Sequence, residues 1–346
     1  LSPPATAGGT DLKVSRVQLK DEQNDDAGAA VLRVSDRPTW RGHILIARPD
    51  HWIKNVFALP GVVVALTIDP ARIASGDLPR VLVTGAVALC LISSSNYTLN
   101  EILDAPFDRY DPVKRERPVP NGRVSIPLAY VQWLGLMLCG LALGLTISVP
   151  FTLTLAALWL MGCAYNVPPV RSKDVPYLDV LTEAVNNPLR LLAGWYVTRT
   201  RALPPTSLLL SYWMIGCYFM AIKRFAEYRS FAEPHRMRAY RKSFAYYNER
   251  NLLVSIMFYG SNAMLFFGAF IMRYRLELIL SFPLAAWVMA TYLALAFKEN
   301  SGAQHPERLY REPWLTLAVV TCAAWMLFLL FVDLPRLHQL FAPSHP

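Results

Sequence analysis

The chain has 346 residues, 54% of them hydrophobic and only 17% charged, where soluble domains carry about a quarter charged. Apolar runs of about 20 residues recur along most of its length, which excludes a soluble globular enzyme and predicts an all-α, polytopic membrane protein. The formal net charge is +9, but the bases gather in loops between apolar runs, so topology and phosphate binding account for them and nucleic acid is not an expected partner.

Residues 1–38 are polar, with no apolar period and no signal-peptide pattern, and are expected to be disordered. One transmembrane domain is expected over 39–335, followed by a short tail at 336–346. Arg41 to Asn55 is amphipathic and leads into the first apolar run, 53–69. Trp52 fits an interfacial anchor, and Lys54 and Asn55 stand at the mouth of the run. Lys54 reads either as a snorkelling end residue or as a group facing a site.

The second run, 81–101, ends in Asn100-Glu101-Ile102-Leu103-Asp104-Ala105-Pro106-Phe107-Asp108. On a helix Asp104 lies about 40° from Asn100 and Asp108 about 80°, so the three share a sector, and Glu101 sits at its edge, about 100° away. Carboxylates this close repel unless a cation joins them, and oxygen ligands favour a hard ion such as Mg²⁺. Lys114, Arg115 and Arg117 follow at once, with Asp111 between, and suit phosphate. The motif therefore reads as a carboxylate–metal–diphosphate site, with a charged inter-helix loop as the plainer alternative.

Runs three and four span 126–148 and 151–166, parted at Val149-Pro150. A Pro-rich basic loop, Tyr165 to Asp174, carries Arg171 and Lys173. Run five, 178–198, places Asp179, Glu183, Asn186 and Arg190 on one helical face. Such a stripe is costly in a membrane unless it faces a cavity or pairs internally, for example Glu183 with Arg190. Run six, 206–224, ends in Lys223-Arg224-Phe225-Ala226-Glu227. A long loop with Arg236, Arg238, Tyr240, Arg241, Lys242, Ser243, Tyr246 and Tyr247 follows, then runs seven to nine at 251–272, 277–297 and 313–333. The five cysteines lie in apolar runs without metal-ligand spacing and read as small core residues. With nine spans, the loops after runs two, four, six and eight share a side and carry most of the bases. That side is predicted to be cytoplasmic, with Arg199 and Arg201 as exceptions across the membrane.

These motifs resemble the UbiA superfamily of intramembrane prenyltransferases. Its first signature is matched by Asn100, Asp104 and Asp108, with Glu101 in place of an Asp. Pro112-x-Lys114-Arg115-x-Arg117-Pro118, the Tyr165–Lys173 loop and Asp179-x-x-x-Glu183 are also similar. Within it, Arg48-Pro49-x-x-Trp52-x-Lys54-Asn55, Leu189-Arg190-x-x-Ala193-Gly194 and Lys223-Arg224-x-Ala226-Glu227 resemble the decaprenyl-phosphate phosphoribosyltransferases. The resemblance covers 44–330.

It implies about nine helices around a cavity open to the cytoplasmic face and laterally to lipid, in the cell (inner) membrane. It also implies an Mg²⁺-dependent transferase, with Mn²⁺ as the alternative ion. The favoured reaction moves a phosphoribosyl group from phosphoribosyl diphosphate to a polyprenyl phosphate. The alternative moves a prenyl group from a prenyl diphosphate to an aromatic or glycerol-phosphate-like acceptor. The expected metal ligands are Asn100, Asp104 and Asp108, with Glu101, Asp179 and Glu183 as further acids the resemblance offers. Lys54, Lys114, Arg115, Arg117, Arg171, Lys173, Lys223 and Arg224 are expected on phosphates, Lys54 and Lys223 among the catalytic groups. Asn55, Tyr165, Asn186, Arg190 and Glu227 are expected to line the cavity.

Overall fold

The computed structural model describes residues 37–109, 114–230, 242–298, 302–304, 309 and 311–341. The expected disorder of the N-terminal segment, the placement of Asp111 and Pro112, and that of Arg236, Arg238, Tyr240 and Arg241 lie outside the described residues, apart from Arg37 and Pro38.

The described residues are helical and hold no strand. The helices are α1 (Trp40–Ile46), α2 (Leu59–Ile68), α3 (Leu78–Asp108), α4 (Ile126–Leu145), α5 (Val149–Asn166), α6 (Leu178–Ala184), α7 (Asn186–Val197), α8 (Thr206–Ser230), α9 (Glu249–Tyr274), α10 (Phe282–Leu295), α11 (Pro313–Phe331) and α12 (Pro335–Leu340). Each of the nine expected runs is helical. Seven segments among the described residues are long and apolar enough to cross a membrane. Run five, divided between α6 and α7, and α8 are not among them. Large apolar side chains such as Val131, Leu153, Leu265 and Phe328 are exposed, as a lipid-facing surface requires.

Local chemistry sets the helix starts. Proline stands in the first turn of α3, α4, α5, α10 and α11, where its missing N–H breaks no bond. Ser148 Oγ accepts from the Phe151 amide at 3.3 Å and Asn248 Oδ1 from that of Asn251 at 2.8 Å, capping α5 and α9.

Two expectations are corrected. The first membrane segment begins earlier than residue 53, because α1, a 3₁₀ stretch at Pro49–Ala58 and α2 run on from Trp40 to Ile68. Run five is not one helix but α6 and α7, which meet at Val185. Pro188 has no N–H to give the Ala184 carbonyl, so the helical ladder fails there. The stripe expected on one face is thereby divided between two helices.

Helices α3, α4 and α5 pack together, α7 bridges α2 and α5, and α8 lies along α9. The α2–α7 approach is backbone to backbone: a Cβ on Gly194 would overlap the Ala58 carbonyl, and one on Gly61 the Leu191 carbonyl. The links after runs one, three and five meet at one end. There Arg199 bonds Asp77 at 2.7 Å and the Ile147 carbonyl at 2.8 Å, while Thr200 reaches Asp69 at 3.0 Å. Arg199, one of the two exceptions to the charge bias, is therefore paired with Asp77, which also meets Arg72 at 3.1 Å. The acid motif and the Tyr165–Asp174 loop lie at the other end.

Candidate active site

Helix α3 runs seven residues past the expected end of its apolar run, so the whole acid motif is helical, with Pro106 in its last turns. Asp104 and Asp108 are one turn apart. Asp104 is 22% exposed and takes an ion pair from Lys173 and a second from Arg171 at 3.4 Å. Lys173 is itself buried and also donates to Asn166 Oδ1 at 2.8 Å. Arg171 reaches Asp174 at 3.2 Å and lies over the Phe107 ring at 5.3 Å. Asp108 is buried and paired with Arg117 at 2.5 Å, with Lys114 in electrostatic reach. Asn100 is half-buried on the same sector. The basic loops after α3 and α5 thus converge on the two aspartates, with Arg117 against Asp108 and Arg171 and Lys173 against Asp104. Arg115 is set apart: it is half-exposed and its partner is Glu116 at 3.7 Å.

Glu101 stands away from this group. It is 1% exposed, accepts from Arg48 Nη2 at 3.2 Å, and accepts from the Val119 amide at 3.1 Å. It ties the segment before α2 to the loop that carries Arg117, so the structure gives it a bracing contact rather than a place beside Asp104.

The second acidic cluster is built around Arg224. Its guanidinium is 1% exposed and bonds Asp179 at 2.9 Å, Glu183 at 2.7 Å and Glu227 at 2.9 Å. Tyr165 donates to Glu183 at 2.9 Å, and Ser243 and Tyr247 donate to Asp179 at 3.4 and 2.5 Å. Burial and the Asp179 charge push the Tyr247 phenol well above its ordinary range, so it stays a proton donor. The expected phosphate role of Arg224 is corrected accordingly: all three nitrogens are committed to protein carboxylates. Asp179 is 0% exposed and enclosed by Arg224, Tyr247 and Ser243. Lys223, the next residue on α8, is half-buried and turned about 100° away from Arg224.

Deeper along α3, Asn55 Oδ1 accepts from Ser93 at 3.1 Å and from Arg190 Nε at 3.3 Å. Arg190 Nη1 also donates to the Asn186 carbonyl at 3.4 Å. The Glu183–Arg190 pairing considered above does not form. Lys54 lies 6.0 Å from the centre of the Tyr97 ring.

Sequence reasoning missed Asn166, which holds Lys173, and Ser93 and Tyr97, which line the same α3 face as Asn100 and Asp104. Stepping upstream from Asn100 by three residues and then four, along the same helical face, finds Tyr97 and Ser93. The roles of Ser243 and Tyr247 had no local signal.

Residues 56–316 match the sequence profile of the UbiA prenyltransferase family. The decaprenyl-phosphate phosphoribosyltransferase of Mycolicibacterium smegmatis is 29% identical over 190 residues, 54% of this chain and 57% of that protein. That of Mycobacterium tuberculosis is 29% identical over 187 residues, 54% of this chain and 60% of that one. The chain thus matches under two thirds of the length of these relatives. A UbiA homologue from Archaeoglobus fulgidus, solved with DMAPP and Mg²⁺, superposes with a TM-score of 0.63 at 19% identity over 84% of this chain and 100% of its own. The chain belongs to the UbiA prenyltransferase family and is an integral-membrane protein with that family's helical fold.

Proposed function

We propose that the chain is an Mg²⁺-dependent transferase that moves a phosphoribosyl group from phosphoribosyl diphosphate to a polyprenyl phosphate and releases diphosphate. The observation that carries this reading is Arg224 at the centre of the second acidic cluster. A prenyl-diphosphate site would be expected to hold a second ion on Asp179 and Glu183. Here a buried guanidinium fills that position, so these residues do not fit a second metal. The similarity to proteins named decaprenyl-phosphate phosphoribosyltransferase supports the same reading.

The first acidic motif does fit one ion. Asn100, Asp104 and Asp108 offer oxygen donors only, and Mg²⁺ takes one or two carboxylates and shares its other positions with water and substrate phosphates. Among the described residues no group of three His, Cys, Asp or Glu side chains is arranged to hold a metal ion by itself, the three carboxylates around Arg224 included. The fit is therefore to an ion completed by a diphosphate. Bound there, it would neutralise charge developing on the departing diphosphate.

The chain's residues supply the rest. Lys173, Arg171 and Arg117 stand against the same carboxylates, so a diphosphate held there meets three cations. The polyprenyl phosphate is already ionised and needs no strong base. Its phosphate oxygen forms the new bond to C1 of the ribose, while the C1–O bond to diphosphate breaks and its electron pair leaves with diphosphate. The helices shield the electron-poor C1 from water. We place the site at the cytoplasmic face of the cell membrane, on the basic bias of the loops around it.

The test supplies purified protein, Mg²⁺, polyprenyl phosphate and radiolabelled phosphoribosyl diphosphate. Label should pass to the organic phase only when all are present. Label that stays aqueous, while a prenyl diphosphate is consumed with an aromatic or glycerol-phosphate-like acceptor, would establish the prenyl-transfer reading instead.

A further inference from the structure

The polar network at Arg190 has no role in the diphosphate site described above. Arg190 lies on α7 and is held at two points, Nε to Asn55 Oδ1 at 3.3 Å and Nη1 to the Asn186 carbonyl at 3.4 Å. Among the described residues it has no acidic partner. The nearest acid in sequence, Glu183, is taken by Arg224 at 2.7 Å and Tyr165 at 2.9 Å. Nη2 makes no hydrogen bond among the described residues and is not fully buried. A guanidinium in a membrane helix with no counter-charge is expensive to keep unless an anion meets it.

The site around it is built. Asn55 Oδ1 accepts from both Ser93 and Arg190, and Asn55 Nδ2 donates to Cys90 Sγ at 3.3 Å, which fixes the asparagine. The arginine can stand this close because Gly194, one turn beyond it, lets α7 lie against the Ala58 carbonyl. Ser93, Tyr97, Asn100 and Asp104 follow at i, i+4, i+7 and i+11 on one face of α3. The network and the acid motif therefore share one wall, with Ser93 and Asp104 about 16 Å apart along the helix. Tyr97, between them, lies in electrostatic reach of Arg190 and Glu183.

We propose that Arg190, oriented by Asn55, is a separate subsite for a phosphate monoester, distinct from the place of the diphosphate at Asp104 and Asp108. The proposal rests on the phosphoribosyl-transfer reading for its ligand class. With Nε and Nη1 held by Asn55 and Asn186, Nη2 keeps its two N–H donors for phosphate oxygens. Two reactants carry such a group: the lipid acceptor at its head, and the ribosyl donor at its 5-position.

The experiment measures binding of three probes to the full-length protein with Mg²⁺: farnesyl phosphate, ribose 5-phosphate and inorganic diphosphate. Wild type, Arg190→Met and Arg190→Lys are compared. One of the two monoesters should bind wild type and weaken about 10- to 100-fold in Arg190→Met, the size of one charge-assisted hydrogen-bonding contact. Arg190→Lys should recover part of the loss, and diphosphate affinity should stay the same in all three. Loss confined to farnesyl phosphate assigns the subsite to the lipid head, and loss confined to ribose 5-phosphate assigns it to the donor. The proposal is overturned if wild type binds neither monoester, if Arg190→Met binds both as wild type does, or if diphosphate affinity falls in step. Monoester binding that depends on Arg190 in a protein that transfers no phosphoribosyl group would remove the function proposed above and leave this subsite standing.

Discussion

Arg224→Met removes the guanidinium shared by Asp179, Glu183 and Glu227 while keeping most of the side-chain length. Breaking a buried ion pair by deleting one partner costs about 3–5 kcal/mol. Two features place this site at the lower end. Asp179, 0% exposed, keeps its bonds from Tyr247 and Ser243, and Glu183, whose side chain is 28% exposed, keeps water and Tyr165. The expected loss is about 3 kcal/mol, which at about 2.1 cal/mol/K of unfolding entropy per residue over roughly 300 residues lowers Tm by about 5 °C. Thermal unfolding of the purified protein in detergent, followed with a thiol-reactive fluorophore at neutral pH, reads this directly. Arg224→Met combined with Asp179→Asn and Glu183→Gln should recover much of the loss, because the uncompensated charges go with their partner. A single variant that melts within 1 °C of wild type, or a triple variant no more stable than the single, would refute the view that Arg224 balances this cluster.

Asp104→Asn and Asp108→Asn should each abolish turnover while the protein elutes from a sizing column as wild type does; activity within about tenfold of wild type in both would remove the metal-site assignment. Glu101→Asp looks tolerable from helical spacing alone, but the shorter side chain cannot span Arg48 and the Val119 amide. It should cost about 1–3 kcal/mol in unfolding without changing the Mg²⁺ dependence of activity, whereas unchanged stability would contradict the bracing contact. Cysteines placed at 120, 172, 240 and 305 should label from the cytoplasmic side and one at 345 from the other; opposite labelling of 120 and 240 would show the span count to be wrong.

The apolar runs and the acid motif were legible because both are local: run length marks membrane helices, and i, i+4, i+8 spacing gathers Asn100, Asp104 and Asp108. Helix continuity was less legible. Pro188 breaks run five, yet membrane helices often absorb a proline, so the sequence alone does not decide whether one bends or stops. The pairing of charges was least legible. Lys173 meets Asp104 across 69 positions, and Arg224 meets Asp179 across 45. A basic residue beside an acid motif reads the same whether it awaits a phosphate or is enclosed with its own carboxylates. Arg171 and Lys173 proved to stand at the aspartates and Arg224 to be sealed inside, and that difference comes from tertiary burial.

The central claim is the identity of the transferred group. The most direct measurement offers the enzyme polyprenyl phosphate together with equal concentrations of phosphoribosyl diphosphate and a prenyl diphosphate, then weighs the lipid product by mass spectrometry. The account predicts one new species, heavier than the polyprenyl phosphate by a phosphoribosyl unit, absent from Asp104→Asn protein. A product heavier by a prenyl unit, or prenyl diphosphate consumed while phosphoribosyl diphosphate is untouched, would contradict it.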